Sequence, residues 1–278
     1  MIRERALDVD GVRIHVAEAG QGPALVLLHG LTATHFTWQH TIPAFADRWR
    51  VVAPDLPGHG RSGKPDAPYT PDFYAGVVRS LGRALGIGDA VVVGNSLGGR
   101  VALELALAYP RWTRAVGVAA PAGGYAAGMR AVGWAIDAVA GPRVLGVALP
   151  RTLDWCFHDP TLAACAERRR LLADRLAADD APGFARAVTR TLRELLADGR
   201  PPLGGIRQPA LVVWGREDRL IALAASRRLL REIPHARLAV VDGCGHLPMV
   251  ERPDEFNRVL GEFLRAVDAA PRAHAAGA

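Results

Sequence analysis

The stretch AVVVGNSLGG, residues 90–99, constrains this chain more than any other. Four consecutive apolar residues make it too short and too uniformly apolar for a surface strand, but right for a strand covered on both faces. The run stops at Gly94 and within three residues becomes an apolar helical pattern that continues to about Tyr109, just before Pro110. A chain that reverses so abruptly places Ser96 on a strained turn, with glycines two positions before and after it to let strand and helix approach. The hydroxyl then stands near the positive end of the helix.

The rest of the first half repeats this alternation. Strands are predicted at 12–18, 24–30, 50–55 and 115–120, with a helix over 72–86 whose apolar stripe is Phe73, Val77, Leu81 and Leu85. Strand–helix alternation implies a largely parallel sheet with helices on both sides. From about Ala122 strand signals give way to helical ones. In 183–199 Phe184, Val188, Leu192 and Leu195 share a face, with Asp180 or Pro182 at its start, and 162–178 is a further helical stretch. Alternation resumes at 210–215, with a helix near 222–232, a strand at 236–242 and a final helix from Pro253 to about Val267. The expected organisation is an α/β core (1–121 and 204–267) interrupted by a helical insertion (122–203), with a loose tail (268–278).

Composition narrows the functional classes. The net charge is +6 over 278 residues, but Lys64 is the sole lysine and the arginines are interleaved with acids. That is a solvated surface pattern, so neither a nucleic-acid nor a membrane partner is expected. Three irregularly spaced cysteines form no disulfide framework or zinc motif. The charged N-terminus lacks a signal core, and the reading is a soluble, cytoplasmic protein. The segment GHGRSGK lacks phosphate-loop spacing. Neither cofactor nor metal is expected.

A serine hydroxyl needs a base, and the base an orienting acid. His246 lies in VVDGCGHLPM, on a glycine-flanked loop before the last helix, and Asp218 lies just past a strand in LVVWGREDRLI, with Glu217 as the competing carboxylate. The oxyanion donors are expected to be the main-chain N–H groups of Leu97 and Leu31. His29 reads as a structural residue holding the oxyanion loop, and Cys244 as a small buried filler.

In this order, HGLTATHFTW, DLPGHGRSGKP, GNSLGG, WGREDRL and GHLPMVERP resemble the α/β-hydrolase superfamily over about residues 5–267. The resemblance implies an α/β-hydrolase fold with a mostly parallel eight-stranded sheet. It also implies a helical cap at about 122–203, with Trp134, Trp155, Phe157 and Phe184 as candidates for contacting substrate. Branches that use aspartate at the elbow, the haloalkane dehalogenases and epoxide hydrolases, are disfavoured by Ser96. A Ser-His-Asp serine hydrolase acting on carboxylic esters or lactones of small apolar substrates is the leading expectation. The alternatives are a carbon–carbon bond hydrolase for ring-cleavage diketones, which Asn95 fits and Leu247 does not, and a cofactor-free perhydrolase. A small-ligand binding protein on the same fold is the non-enzymatic alternative. A small-molecule substrate is expected as partner, with monomer and homo-oligomer both open.

Overall fold

The computed structural model describes residues 1–123, 154–159, 180–197 and 202–269. Its strands are β1 (Arg3–Val9), β2 (Val12–Ala19), β3 (Ala24–Leu28), β4 (Arg50–Pro54), β5 (Ala90–Asn95), β6 (Thr113–Ala119), β7 (Ala210–Gly215) and β8 (Arg237–Val241). They form one eight-stranded sheet in the order β1-β2-β4-β3-β5-β6-β7-β8. Pairings from β4 to β8 are parallel, while β2 is antiparallel to both β1 and β4. The helices are α1 (Thr41–Phe45), α2 (Pro71–Ala84), α3 (Leu97–Ala108), α4 (Ala181–Ala197), α5 (Ser226–Glu232), α6 (Pro248–Glu251) and α7 (Pro253–Ala269). The doubly covered, mostly parallel sheet expected from the alternation is what forms.

The continuous apolar runs have a simple cause. Successive side chains leave a strand on opposite faces. On β5, Val92 enters one core with Val101 and Leu105 of α3 and Val78 and Leu81 of α2. Its neighbours Val91 and Val93 enter the other, with Phe45 of α1 and Phe256, Leu260 and Phe263 of α7. A strand with polar alternation would bury charge on one of these faces.

Three sequence readings need correction. β1 escaped notice because RERALDV is an exposed edge strand whose composition resembles a polar terminus. The signal was present in Asp10-Gly11. Both have positive φ, 52° and 82°, the type I′ geometry that joins β1 to β2 as a tight hairpin. The predicted stripe on α2 was off by one residue at its N-terminal half, since Tyr74 and Val78 are buried and Phe73 and Val77 only partly so. β3 also ends earlier than predicted, at Leu28, which frees His29 and Gly30 to begin a loop. The stretch 162–178 and Trp134 lie outside the described residues. The final helix begins at Pro253 as predicted, and Asp180 marks the start of α4, accepting the Gly183 N–H at 2.9 Å.

Below the C-terminal ends of β3 and β4, a buried polar network shapes the loops. His29 donates from Nδ1 to the Gly30 carbonyl, 2.8 Å, and accepts the Leu56 N–H at Nε2, 2.9 Å. Both ring nitrogens are thereby committed to main chain, in keeping with a bracing role. His59 donates from Nδ1 to the Pro57 carbonyl at 3.0 Å and stacks edge-on against His29 and Phe184. Burial, reinforced by the neighbouring His29, pushes its pKa down from 6.5 to about 3, so this imidazole is neutral.

Two outcomes are expected. A Cβ on Gly98 would overlap the carbonyls of Leu28 and His29, whereas one on Gly76, inside α2, meets nothing within 4 Å. Gly98→Ala should therefore cost about 2 kcal/mol or more, and Gly76→Ala should stabilise by about 0.5–1 kcal/mol, both read by urea unfolding. For His59, the unfolded chain takes up a proton near pH 6.5 that the folded chain refuses. Its contribution to stability is complete above that pH and shrinks as pH falls toward 3. Between pH 6 and 4 the unfolding free energy of wild type should fall by up to about 1.4 kcal/mol per pH unit more than that of His59→Gln.

Candidate active site

Three loops converge at the C-terminal edge of the sheet. The first is the elbow between β5 and α3. Ser96 has φ 52° and ψ −114°, a conformation that disfavours any side chain and stores about 1–3 kcal/mol of strain. It is enforced on both sides. The Ser96 N–H donates to the Ala119 carbonyl of β6 at 3.0 Å, and its carbonyl accepts the N–H groups of Arg100 and Ala122 at 3.0 and 2.9 Å. A Cβ on Gly94 would overlap the backbone of Gly98, so β5 and α3 meet only because position 94 is glycine, while Gly98 lets the helix sit against the carbonyls of Leu28 and His29. Gly99 has the same duty toward Pro121, which a Cβ would approach to 2.9 Å.

The second loop follows β7. Asp218 is buried and its Oδ1 accepts the N–H groups of Leu220 and Ile221 at 2.8 and 2.9 Å. Its Oδ2 lies 2.7 Å from Nδ1 of His246, on the third loop, between β8 and α6. The competing carboxylate is turned elsewhere, since Glu217 Oε2 accepts the Cys244 N–H at 2.9 Å. An ionised Asp218 fixes the Nδ1–H tautomer of His246 and leaves Nε2 with its lone pair. That Nε2 is buried and has no hydrogen-bond partner among the described residues. Ser96 Oγ likewise makes none with the described residues, and a direct Ser96–His246 hydrogen bond is not formed. Such bonds commonly tighten only with substrate in place.

The main chain of His246 is held from two directions. Its N–H donates to the Cys156 carbonyl at 2.7 Å, and its carbonyl accepts Asn95 Nδ2 at 3.1 Å. Asn95 is adjacent to Ser96 in sequence and also donates to Ala119, 3.1 Å away, so one amide ties the base loop to the elbow. Glu251, buried at the end of α6, accepts the Gly245 N–H at 2.5 Å on one oxygen and the His158 N–H at 2.7 Å on the other. Sequence reasoning singled out neither bracing duty. The acid in GHLPMVERP, three residues past a proline on a short helix, was the available signal for Glu251.

The HG loop lies against the elbow. A Cβ on Gly30 would come within 3.3 Å of Ser96 Cβ and 3.1 Å of Asn95 Oδ1. The Ala33 N–H donates to the Gly30 carbonyl at 3.1 Å and Thr32 has φ 62°, the pattern of a type II turn. In that turn the Leu31 N–H is not used internally. The Leu97 N–H, first in α3, has no partner within its helix. Among the described residues neither N–H has a hydrogen-bond partner, and both belong to the loops that flank the serine.

The aromatic candidates separate. Phe184 on α4 packs with Val188 against Leu31 and edge-on to His59. Phe157 is buried in the core with Cys156, Leu247 and Met249, whereas Trp155 is 61% exposed. Trp134 is outside the described residues. Cys244 is fully buried, and burial aided by Glu251 pushes its thiol pKa up, which fits an inert filler. No helix among the described residues is long and apolar enough to cross a membrane.

Known proteins match this arrangement over nearly its full length. A 2-hydroxy-6-oxononadienedioate/2-hydroxy-6-oxononatrienedioate hydrolase of Burkholderia vietnamiensis (strain G4 / LMG 22486) is 33% identical, covering 91% of each chain. The solved 2-hydroxy-6-oxo-6-phenylhexa-2,4-dienoate hydrolase from Rhodococcus sp. strain RHA1 superposes with a TM-score of 0.80 at 28% identity, covering 95% of this chain and 99% of that one. A solved membrane phospholipase A gives a TM-score of 0.79 at 29% identity, covering 97% and 87%. The family model described as alpha/beta hydrolase fold matches residues 23–253. With that match, and with the sheet and elbow described above, the chain belongs to the α/β-hydrolase superfamily.

Proposed function

We propose that the protein is a serine-dependent carbon–carbon bond hydrolase. Its substrates are conjugated 2-hydroxy-6-oxo-dienoates, the products of aromatic ring cleavage. The observation that carries a hydrolytic reading is the contact of His246 Nδ1 with Asp218 Oδ2, which reserves Nε2 for proton transfer. The choice of bond is supported by likeness to hydrolases named for such dienoates. It is also supported by Asn95, which follows the pattern of the carbon–carbon branch and braces the histidine loop.

The chemistry follows from these groups. Loss of the 2-hydroxyl proton and delivery of a proton to C5 convert the dienol into its 2,6-dioxo tautomer, which makes C5 part of a departing group able to delocalise charge. Ser96 Oγ adds to the C6 carbonyl as His246 Nε2 removes its proton. The N–H groups of Leu31 and Leu97 receive the developing oxyanion. The C5–C6 bond then breaks, its electron pair entering the conjugated 2-oxo system, and the resulting dienolate takes the proton held on His246 to leave as a 2-hydroxydienoate. The acyl group stays on Ser96. Water, deprotonated by His246, releases it as a carboxylic acid and restores the serine. Phe184 of α4 packs against Leu31 and is in position to contact substrate beside the oxyanion donors.

Ester or lactone hydrolysis is the second reading. It uses the same residues, and Leu247, standing where the carbon–carbon branch commonly has an aromatic residue, favours it. A substrate panel separates the two. Loss of the coloured dienolate of a 2-hydroxy-6-oxo-dienoate should exceed turnover of p-nitrophenyl esters and enol lactones by at least about 100-fold in kcat/KM, roughly 2.7 kcal/mol. The reverse ratio would transfer the assignment to esters. For whichever substrate is used, Ser96→Ala should lower kcat by at least about 1000-fold. Asp218→Asn should lower it by about 100- to 10,000-fold, while Glu217→Gln leaves it within a factor of about 3.

A further inference from the structure

Outside the catalytic group, His15, His35 and Asp55 bring ligand-type atoms within 4.8 Å of one another, all on buried residues. They come from three elements: His15 from β2, His35 from the 3-10 turn His35–Trp38, and Asp55 from the turn after β4. Their spacing in sequence matches no metal-ligand motif, so the cluster exists only through the fold.

Its geometry is specific. Asp55 Oδ1 lies 2.8 Å from His35 Nδ1, and Oδ2 lies 3.2 Å from His15 Nδ1. Yet His15 Nδ1 is buried and makes no well-aligned hydrogen bond among the described residues. The distance is short enough, so it is the angle that fails. Two atoms ligating one tetrahedral ion with bonds of about 2.0–2.1 Å stand about 3.3 Å apart without pointing at each other. The carboxylate is held in place by main-chain donors, His35 N–H at 2.8 Å on Oδ1 and Arg61 N–H at 2.9 Å on Oδ2. A second carboxylate faces the outer ring nitrogens. Glu4 has one oxygen 3.3 Å from His15 Nε2 and the other 3.8 Å from His35 Nε2. Imidazoles that bind a metal through one nitrogen characteristically give the other N–H to a carboxylate. Glu4 also pairs with the exposed Arg61 at 2.5 Å on the solvent side.

We propose that His15, His35 and Asp55 form a site for a divalent transition-metal ion of the zinc class, bound through both Nδ1 atoms and the Asp55 carboxylate, with Glu4 as the outer partner of both rings. Two imidazoles and one carboxylate select zinc, cobalt or nickel over magnesium and calcium, which take oxygen ligands. Binding displaces the proton between His35 Nδ1 and Asp55, which leaves to solvent. The ion joins β2, the turn following the HG loop and the turn after β4. Its role is to fix these loops, and no step of hydrolysis runs through it.

The test uses the full chain after dialysis against chelator, titrated calorimetrically with zinc chloride and separately with cobalt(II). The expected result is one zinc per chain, a rise in Tm on loading, and the strong visible absorption of four-coordinate cobalt. Ser96→Ala should retain all three, while His35→Gln loses them. Glu4→Gln, on a half-exposed side chain that leaves the core intact, should weaken zinc affinity about 10- to 100-fold. Absence of zinc binding up to about 0.1 mM, or equal affinity in His35→Gln and wild type, would overturn the proposal. Should His35→Gln fail to fold, undiminished affinity in Glu4→Gln would overturn it instead.

Discussion

The close approach of β5 to the first turn of α3 is the constraint on which the site depends. Strand and helix can pack at this distance only while position 94 lacks a Cβ, and the missing Cβ at position 98 lets the same helix turn rest against the carbonyls of Leu28 and His29. The residue between them is then driven to φ 52°, a region that costs a serine about 1–3 kcal/mol. Sheet hydrogen bonds from β6 and the first helical hydrogen bond of α3 hold it there. The strain is thus sustained by burial on both faces of β5, where Val91, Val92 and Val93 each enter a packed core.

From that fixed point the remaining groups are positioned by main chain more than by side chain. His246 is gripped through its N–H and its carbonyl, by Cys156 and Asn95. Asp218 is gripped through two backbone donors that occupy one of its oxygens and leave the other for the imidazole. Glu251 fastens the histidine loop to the segment at 154–159. Rigid support of this kind keeps donors and acceptors oriented before substrate arrives, which is where electrostatic catalysis gains most. Phe184 and Val188 of α4 press on Leu31, so this helix and the HG loop share a contact.

Much of this was legible in the sequence because the signals were local. Continuous apolar runs marked the inner strands, and serine, aspartate and histidine each sat at a strand end beside glycine or turn residues. The features that escaped are those whose cause is non-local or weak. β1 carries arginine and glutamate because it is an exposed edge, and only Asp10-Gly11 betrayed the hairpin. The face of α2 was displaced because Phe73 and Tyr74 compete for the same stripe, and packing against Tyr69, with ring centroids 5.6 and 6.0 Å away, does not appear in a periodicity. His15, His35 and Asp55 meet only after the sheet has formed, so no spacing announces them.

The central claim is that Ser96, activated through His246 and Asp218, is the nucleophile. Covalent capture tests it most directly. The protein is treated with an alkyl fluorophosphonate, digested, and the adduct located by mass spectrometry. A single adduct on Ser96, lost when His246 is replaced by alanine, is the predicted result. An adduct on another residue, or none on protein that turns over its substrate, would contradict the account.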